Sequence, residues 1–590
     1  MSRSTVGAVG ALILALIATP AMAQNYKQVA PPQPPAPPPP RISVPPAPVL
    51  RGGSTRTIIP LLRGIRLVAA PAGVVPAGAR TVGVTSAGIA FGPELGATLH
   101  PFLDRPASFA TLRAIEARIV GLYRAKGHPF VNVVLPRQDI ASGIVQFVVA
   151  EYRVDKVTVR GNQWFATPQI RAGLRIAPGD TIDINRVTDD LGWLNVNPFR
   201  QVDLLASPGS LVGTTDLNLV VHDRLPFAVS AGYDNSGNAT TGFDRWKLGF
   251  LAGNVFGRGV LLGYQFIASD DFFSLPRPFP GPAGGPRFIA HSISWTVPLA
   301  WHDTVRVFGD YERVAPSLPS GFASVGHSGQ ASLRYDRHLP TLGRLVQQVS
   351  FGYDFKTSDN NIAFGGTTVF GSSAEIDQFP VIYSATLPDR FGETTVIPRI
   401  VLSPGGLTAG NTDSAYQPGP TQGGVAYARA SYVYVRLDAV RRTPLPGGFE
   451  WRMRLTTQIS STNLLPSEQL SIGGLGTVRG YPTYIAGGSE GVILGEELRG
   501  PPIRLLARLG IAALTDRFRP DVFWDYAHVF DLETIPGTPR AIDLTSLGVG
   551  GHYTMSTGLD VVVQAGTEFH PVPGHQQPGG FVNVSVQMTL

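Results

Sequence analysis

The sequence predicts two small α+β modules in the periplasm followed by a transmembrane antiparallel β-barrel of about 16 strands. Three observations carry that prediction. The chain opens on a secretory leader and then offers no apolar run able to cross a bilayer as a helix. From Phe227 onward, apolar and polar residues alternate with period two. The connections between the alternating runs are tight and long by turns, as on the two sides of an outer membrane.

The leader spans residues 1–23. Arg3 precedes an apolar run from Val6 to Ala18, which closes on Ala21-Met22-Ala23 before Gln24. A basic start, a short apolar stretch and an A-x-A site make a signal peptide. The chain has no cysteine, so it forgoes disulfides in an oxidising compartment. Its net charge of +6 is small for 590 residues and forms no basic stripe interleaved with aromatics, so nucleic acid is not an expected partner. Residues 24–54 read as a periplasmic linker. Between Pro31 and Pro48, 11 of 18 residues are proline, which rules out a helix there. Such a segment favours extended polyproline II at about 3.1 Å per residue and reads as a semi-rigid tether, with a proline motif for a binding partner as the alternative.

The first module is assigned to residues 55–152. Ser108 can cap a helix that carries Leu112, Ile115, Ile119 and Leu122 on one face and stops at Gly127. Strands are predicted at Phe130–Leu135 and Gly143–Val149, joined through Arg137-Gln138-Asp139. The second module, residues 153–223, opens with a strand at Val154–Val159 and a turn at Arg160-Gly161-Asn162. Helix starts are expected at Thr167 and Asn185, and closing strands near Gln201–Leu205 and Thr215–Val221, separated by Pro208-Gly209.

The barrel is assigned to residues 224–590. Phe449, Trp451, Met453 and Leu455 alternate with Glu450, Arg452, Arg454 and Thr456, so one face carries three charges and the other none. At the end of the chain Val582, Val584, Val586, Met588 and Leu590 alternate with Asn583, Ser585, Gln587 and Thr589. A soluble sandwich would bury the apolar face and hydrate the charged one. A barrel turns the apolar face to lipid and the charges to a wet lumen. At about 23 residues per strand and connection, the segment supplies about 16 strands, wide enough for an aqueous channel. Asn254–Gly259 is a tight connection; Ser274–Pro286 and Ser403–Gly424 are long ones rich in Gly, Pro and Ser.

Four ordered motifs in this frame carry a family resemblance. Val478-Arg479-Gly480-Tyr481 resembles the VRGY motif on the inward-folded loop of outer-membrane transporters that join POTRA domains to a barrel. Phe523-Trp524-Asp525 resembles the strand motif whose aspartate pairs with that arginine. Leu194-Asn195-Val196-Asn197-Pro198, followed by Pro208-Gly209 and Gly213-Thr214-Thr215, is similar to the second POTRA domain of two-partner secretion transporters. Tyr233-Asp234-Asn235-Ser236-Gly237 with Thr241-Gly242 resembles their first barrel hairpin. Two POTRA-like modules, rather than more, point to the branch of haemolysin and filamentous-haemagglutinin exporters.

The resemblance implies an outer-membrane pore whose POTRA domains, in the periplasm, catch a large unfolded exoprotein. The barrel passes it to the surface without ATP. Partners implied are the secreted exoprotein, outer-membrane lipid and the barrel assembly machinery during biogenesis, with the transporter itself a monomer and no cofactor or metal. Val478, Arg479, Gly480 and Tyr481, on a loop at about 463–491, are expected to lock against Phe523 and Asp525 on the wall. Gly480 permits the turn and Tyr481 packs beside the ion pair. Asn195, Asn197, Pro198 and Gly209 are expected to be structural in the second POTRA domain. Some relatives plug the pore with an N-terminal helix, which Gln24–Leu50 is too proline-rich to supply in the same way. Relatives usually end on an aromatic assembly signal; here Leu590 takes the outward-facing register. A barrel insertase would share the arginine loop, and a passive porin would have no use for the modules.

Enzymatic readings find little support. Gly487-Gly488-Ser489-Glu490-Gly491 fits G-x-S-x-G, yet it leads into an alternating strand rather than the helix a nucleophile elbow requires. The 11 histidines are scattered, without H-E-x-x-H spacing.

Overall fold

The computed structural model describes residues 26–31, 41–43, 53–211, 213–239, 241–273, 285–317, 322–364, 367–419, 422–511, 514–572 and 578–590. The expected signal peptide, most of the proline run and the long connection after Phe273 lie outside the described residues. The chain forms two units. One spans Pro35–Leu225; the other joins residues 26–31 to Pro226–Leu590.

In the first unit, β1 (Gly64–Val68) pairs in parallel with β2 (Gly83–Ala87), which precedes helix α1 (Gly92–Leu99). Helix α2 (Phe109–Ala125) leads to β3 (Val131–Val134) and β4 (Ile144–Glu151), and the sheet order is β2-β1-β4-β3. The Ser108 hydroxyl accepts the Thr111 N–H at 3.2 Å, and Thr111 returns a contact to the Ser108 N–H, a capping box that fixes the start of α2. Leu112, Ile115, Ile119 and Tyr123 pack onto Ile65, Leu67, Val145 and Phe147, while the predicted Leu122 is only partly buried. Gly127, with φ of +89°, ends the helical run.

A second sheet follows, built from β5 (Arg153–Arg160), β6 (Arg200–Pro208) and β7 (Thr214–Asp223), with helices α3 (Thr167–Ala172) and α4 (Ile184–Leu194). Its order is Ile42–Ser43, β6, β7, β5. Helix α4 starts one residue before the expected Asn185 and is capped by Asp183, whose carboxylate accepts the Asn185 N–H at 2.9 Å.

The second unit is a closed barrel of 16 antiparallel strands. They are β8 (Phe227–Asp234), β9 (Arg245–Val255), β10 (Val260–Ser269), β11 (Phe288–Pro298), β12 (Asp303–Val314) and β13 (Phe322–Leu342). Next come β14 (Leu345–Phe364), β15 (Thr367–Asp389), β16 (Gly392–Pro404), β17 (Ser431–Pro444) and β18 (Glu450–Ser460). The last are β19 (Glu490–Arg499), β20 (Asp516–Phe530), β21 (Ala541–Met555), β22 (Leu559–Glu568) and β23 (Gly580–Thr589). Closure pairs β8 with β23, and Val229 and Leu590 exchange backbone bonds of 3.0 and 2.8 Å at the seam. Leu590 is therefore a seam residue, exposed on the outer face.

Burial runs opposite to that of a soluble sheet. Leu248, Val307, Leu333, Val549 and Val582 are exposed on the outer face. Ser230, Gln265, Arg334, Asp354, Gln458 and Gln564 are buried on the inner one. A sheet that shows apolar groups outside and covers polar groups inside is built for lipid. The turn between β9 and β10 is tight, with Phe256 and Gly257 both at positive φ, whereas residues 405–430 and 461–489 form long connections at the opposite end.

One expectation needs correction. Tyr26–Val29 forms a single helical turn on the inner face of β10, β11 and β12. The Val29 carbonyl accepts from the Gln265 amide at 3.0 Å and from the Ser292 hydroxyl. Val29 packs with Ile267, Phe288 and Ala290, and the Tyr26 ring lies 4.5 Å from that of Phe308. Proline forbids a helix only from Pro31 onward; the residues before it are free to turn.

Candidate functional site

The connection 461–489 leaves β18, enters the barrel and returns to β19. Its two arms pair as a short ladder, Leu470–Ile472 with Ala486–Gly488. Leu470, Ile472, Val478, Tyr481 and Ile485 form a buried cluster with Ile493, Ala527, Val529 and Leu544 of the wall. These wall residues share the inner face of β19, β20 and β21, so the loop is seated by apolar packing against one sector of the barrel.

Arg479 lies beyond that cluster and is 2% exposed; Asp525 on β20 is 0% exposed. The guanidinium forks onto the carboxylate, Nε to Oδ2 at 2.6 Å and Nη2 to Oδ1 at 2.8 Å, and the Arg479 N–H adds a third bond of 3.1 Å. Its remaining edge donates from Nη1 to Glu497 Oε2 at 2.8 Å. The Phe523 ring covers the flat face, its centroid 3.6 Å from Cζ. Val478 precedes the arginine into the apolar cluster, and Gly480 follows it at φ of +97°. A Cβ on Gly480 would lie 2.3 Å from the Phe581 ring, so close approach and backbone sign both require glycine there.

Tyr481 was expected beside the ion pair. The aromatic ring against Arg479 is instead that of Phe523, while the Tyr481 hydroxyl donates to the carbonyls of Thr545 (3.2 Å) and His570 (3.0 Å). The left-handed turn at Gly480 separates the two side chains, so each meets a different part of the wall.

The third member of the lock, Glu497, was missed in the sequence. It is one of several charges on alternating positions of β19, and only the register that sets it opposite Phe523 brings it to Arg479. Gly495 is set opposite Asp525, and a Cβ there would stand 3.1 Å from Asp525 Oδ1 and 3.0 Å from Arg454 Nη2. The bare backbone makes room for the guanidinium cluster. Arg454 approaches Asp525 to 3.5 Å, and Arg499 pairs with the second oxygen of Glu497. Glu497, Asp521 and His552 bring donor atoms within 4.8 Å of one another, a spacing that could hold a metal ion. Arg479 and Arg499 already occupy Glu497, and Arg499 Nη2 lies 3.1 Å from His552 Nε2, so the cluster is an ion-pair network.

Ser489 of the G-x-S-x-G match is fully buried. Its hydroxyl donates to Asp531 at 2.7 Å and accepts the Leu464 N–H at 2.9 Å, and β19 follows it.

The other predicted residues belong to the first unit. Asn195 reads like a strand partner: its Oδ1 accepts the Val202 N–H at 2.7 Å and its Nδ2 donates to the Val202 carbonyl at 3.1 Å. Asn197 Oδ1 accepts the Phe199 N–H at 3.1 Å, and the Pro198 carbonyl accepts from Arg224 at 3.3 Å. Gly209 bonds to the Thr214 carbonyl at 3.0 Å in the β6–β7 turn, where a Cβ would meet Thr214 Oγ1 at 2.3 Å. The same unit holds a groove of about 350 Å³ between α2 and the edge strand β3, with Phe109 and Val134 exposed at its rim and Leu112, Arg113, Glu116 and Leu135 lining it.

Comparison with known proteins matches residues 213–550 to the family described as haemolysin secretion/activation protein ShlB/FhaC/HecB, and residues 86–151 to the ShlB-type POTRA domain. The outer membrane transporter CdiB of Dickeya dadantii is 24% identical over 407 residues, 67% of each chain. The outer membrane transporter CdiB-2 of Burkholderia pseudomallei is 24% identical over 480 residues, 79% of this chain and 75% of the relative. Among solved structures, CdiB from Escherichia coli superposes with a TM-score of 0.75 at 16% identity, covering 100% of this chain and 99% of the other, a likeness of fold.

Proposed function

Because this chain belongs to the family of haemolysin secretion/activation proteins, we propose that it is a gated exporter whose lumen is closed by a loop held on the Arg479 fork. Export of a secreted exoprotein across the outer membrane is the activity of that family and of this chain, which is a transporter rather than an enzyme or an insertase. The observation that carries the gated reading is the arginine loop itself. It fills one sector of a closed barrel and rests there on a desolvated ion pair, a removable obstruction that a passive porin has no use for.

The cargo is a large exoprotein that reaches the pore unfolded. The groove between α2 and β3 supports capture of an extended segment: the strand edge offers backbone bonds, and the exposed Phe109 and Val134 offer apolar contact. The wet, charged inner wall then accommodates an unfolded chain without ATP, and folding at the surface makes return unfavourable. We assign residues 55–152 and 153–223 to two POTRA domains and 224–590 to the barrel. The transporter acts as a monomer, and the barrel assembly machinery inserts it.

Mass spectrometry of culture supernatant and outer membrane from a deletion strain, with a complemented control, tests this reading. Loss of one or two very large exoproteins, with other barrels unchanged, is the expected result. Depletion of many barrels would mean an insertase, and an unchanged supernatant under conditions of expression would refute export.

A further inference from the structure

Asn463 stands three residues beyond β18, at the root of the arginine loop, and is 2% exposed. Its amide uses its whole hydrogen-bonding capacity on two other connections. Nδ2 donates to the Ala426 carbonyl at 2.8 Å and to the Glu533 carbonyl at 2.7 Å. Oδ1 accepts the N–H groups of Leu532 at 3.0 Å and Glu533 at 3.3 Å. Two donors and two acceptors in one plane are what a carboxamide supplies, and aspartate or leucine of similar size cannot.

The neighbouring contacts run between the same three segments. Asn463 forms a parallel bridge with Ala428, and Thr462 Oγ1 donates to the Tyr427 carbonyl at 3.0 Å, where Tyr427 takes φ of +63°. At the other root of the arginine loop, Ser489 bonds to Asp531 through both its N–H (3.0 Å) and its hydroxyl. Beneath the clasp, Tyr416 and Ala428 of residues 405–430 share a buried cluster with Leu464 and Leu465 of the arginine loop and with the inward Ile376, Tyr432 and Tyr434. The Tyr416 hydroxyl is anchored to the Glu375 carbonyl at 2.8 Å. Connections 405–430, 461–489 and 531–540 all lie at the barrel end opposite the β9–β10 turn.

We infer that Asn463 is a positioning residue that clasps these three connections into one cap over the outer mouth, and that the cap must come apart for cargo to leave. This rests on the export reading for its second half only. The first half, closure at rest, is read without any cargo.

The native chain has no cysteine, which makes the test direct. Ala428 and Asn463 are bridge partners, and the strand spacing of about 4.8 Å falls inside the roughly 4.4–6.8 Å that a disulfide spans. In the full-length A428C/N463C protein the thiols break the amide clasp when reduced and replace it covalently when oxidised. Reduced protein in planar bilayers is expected to show an open-state occupancy at least about tenfold above the parent, from the loss of four part-buried hydrogen bonds whose backbone partners water can reach. Oxidised protein returns to the parental level. In cells, oxidation blocks export and reduction restores it. N463D, which keeps the acceptor and loses both donors, is expected to leak as the reduced pair does. Heat-modifiable gel migration identifies folded barrels in every case. Parental conductance from folded, reduced protein would overturn closure by Asn463. Normal export by the oxidised pair would overturn cap opening while leaving the exporter assignment untouched.

Discussion

Arg479→Ala is the substitution whose outcome the geometry constrains most. It removes the fork to Asp525 and the bond to Glu497, three side-chain contacts of 2.6 to 2.8 Å. Asp525 is left fully buried with Arg454 at 3.5 Å as its remaining cation, and Glu497 keeps Arg499. Removing one partner of a buried pair costs about 3 to 5 kcal/mol. Because Arg454 and Arg499 stay within reach, the lower end applies, about 3 kcal/mol, or roughly a hundredfold at 1.4 kcal/mol per factor of ten in the ratio of seated to unseated loop. The strand ladder that closes the barrel does not involve Arg479, so assembly is expected to stand. The assay is paired: exoprotein in the supernatant by immunoblot, and folded barrel in the outer membrane by heat-modifiable migration. An unseated loop stays tethered to β18 and β19 and free in the lumen the cargo must cross, so export is expected to fall to a few per cent or less with normal barrel levels. Arg479→Lys keeps the charge but not the fork and should be intermediate. The double variant R479A/D525A should be no worse than either single change if the two act as a unit. Normal export by well-expressed Arg479→Ala would refute the lock.

Three further substitutions test separate parts of the structure. Gly480→Ala places a methyl group 2.3 Å from the Phe581 ring at a positive φ, so export should fall with the loop unseated, read as new protease sites within residues 461–489 of folded barrels. Val134→Arg puts a charge on the rim of the α2–β3 groove, where it should leave resting conductance unchanged while cross-linking of cargo in the periplasm drops at least about tenfold. Asn195→Ala strips two bonds from the buried Val202 backbone and should destabilise the second module by about 2 kcal/mol, seen as faster proteolysis between α4 and β6 with the barrel intact.

How far the sequence reveals this molecule depends on how local each feature is. The inner and outer faces of β18 and β23 are legible because side-chain direction follows from period two alone. Ser108 and Gly127 are legible because a cap is a matter of three or four neighbouring residues. Arg479 and Asp525 were found through motifs, not through any local rule, since a lone charge on a barrel strand is commonplace. Glu497 and Asn463 escaped because their partners are 18 to 70 residues away and are fixed by barrel register and loop packing. The lengths of β13, β14 and β15, at 20 to 23 residues, also escaped an average strand repeat, because strands that continue past the membrane alternate in the same way as those within it. The turn at Tyr26–Val29 is hidden by the overall proline content of Gln24–Leu50, whose prolines begin only at Pro31.

The ion pair suits an obstruction that has to leave. In a desolvated site the attraction between Arg479 and Asp525 is largely offset by the hydration both gave up, so the intact pair adds little net stability. Most of the seating energy comes from the small apolar cluster around Val478 and Ile485. What the pair adds is position, because a fork shared between Asp525 and Glu497 accepts the guanidinium in one orientation only. When the loop moves as a whole, water returns to both partners together and the two costs cancel again. When a single partner is deleted, the other is stranded and the full penalty appears. A severe Arg479→Ala phenotype and a loop that releases during export are therefore consequences of the same arrangement. The burial of both partners, Arg479 at 2% and Asp525 at 0% exposure, is what couples them.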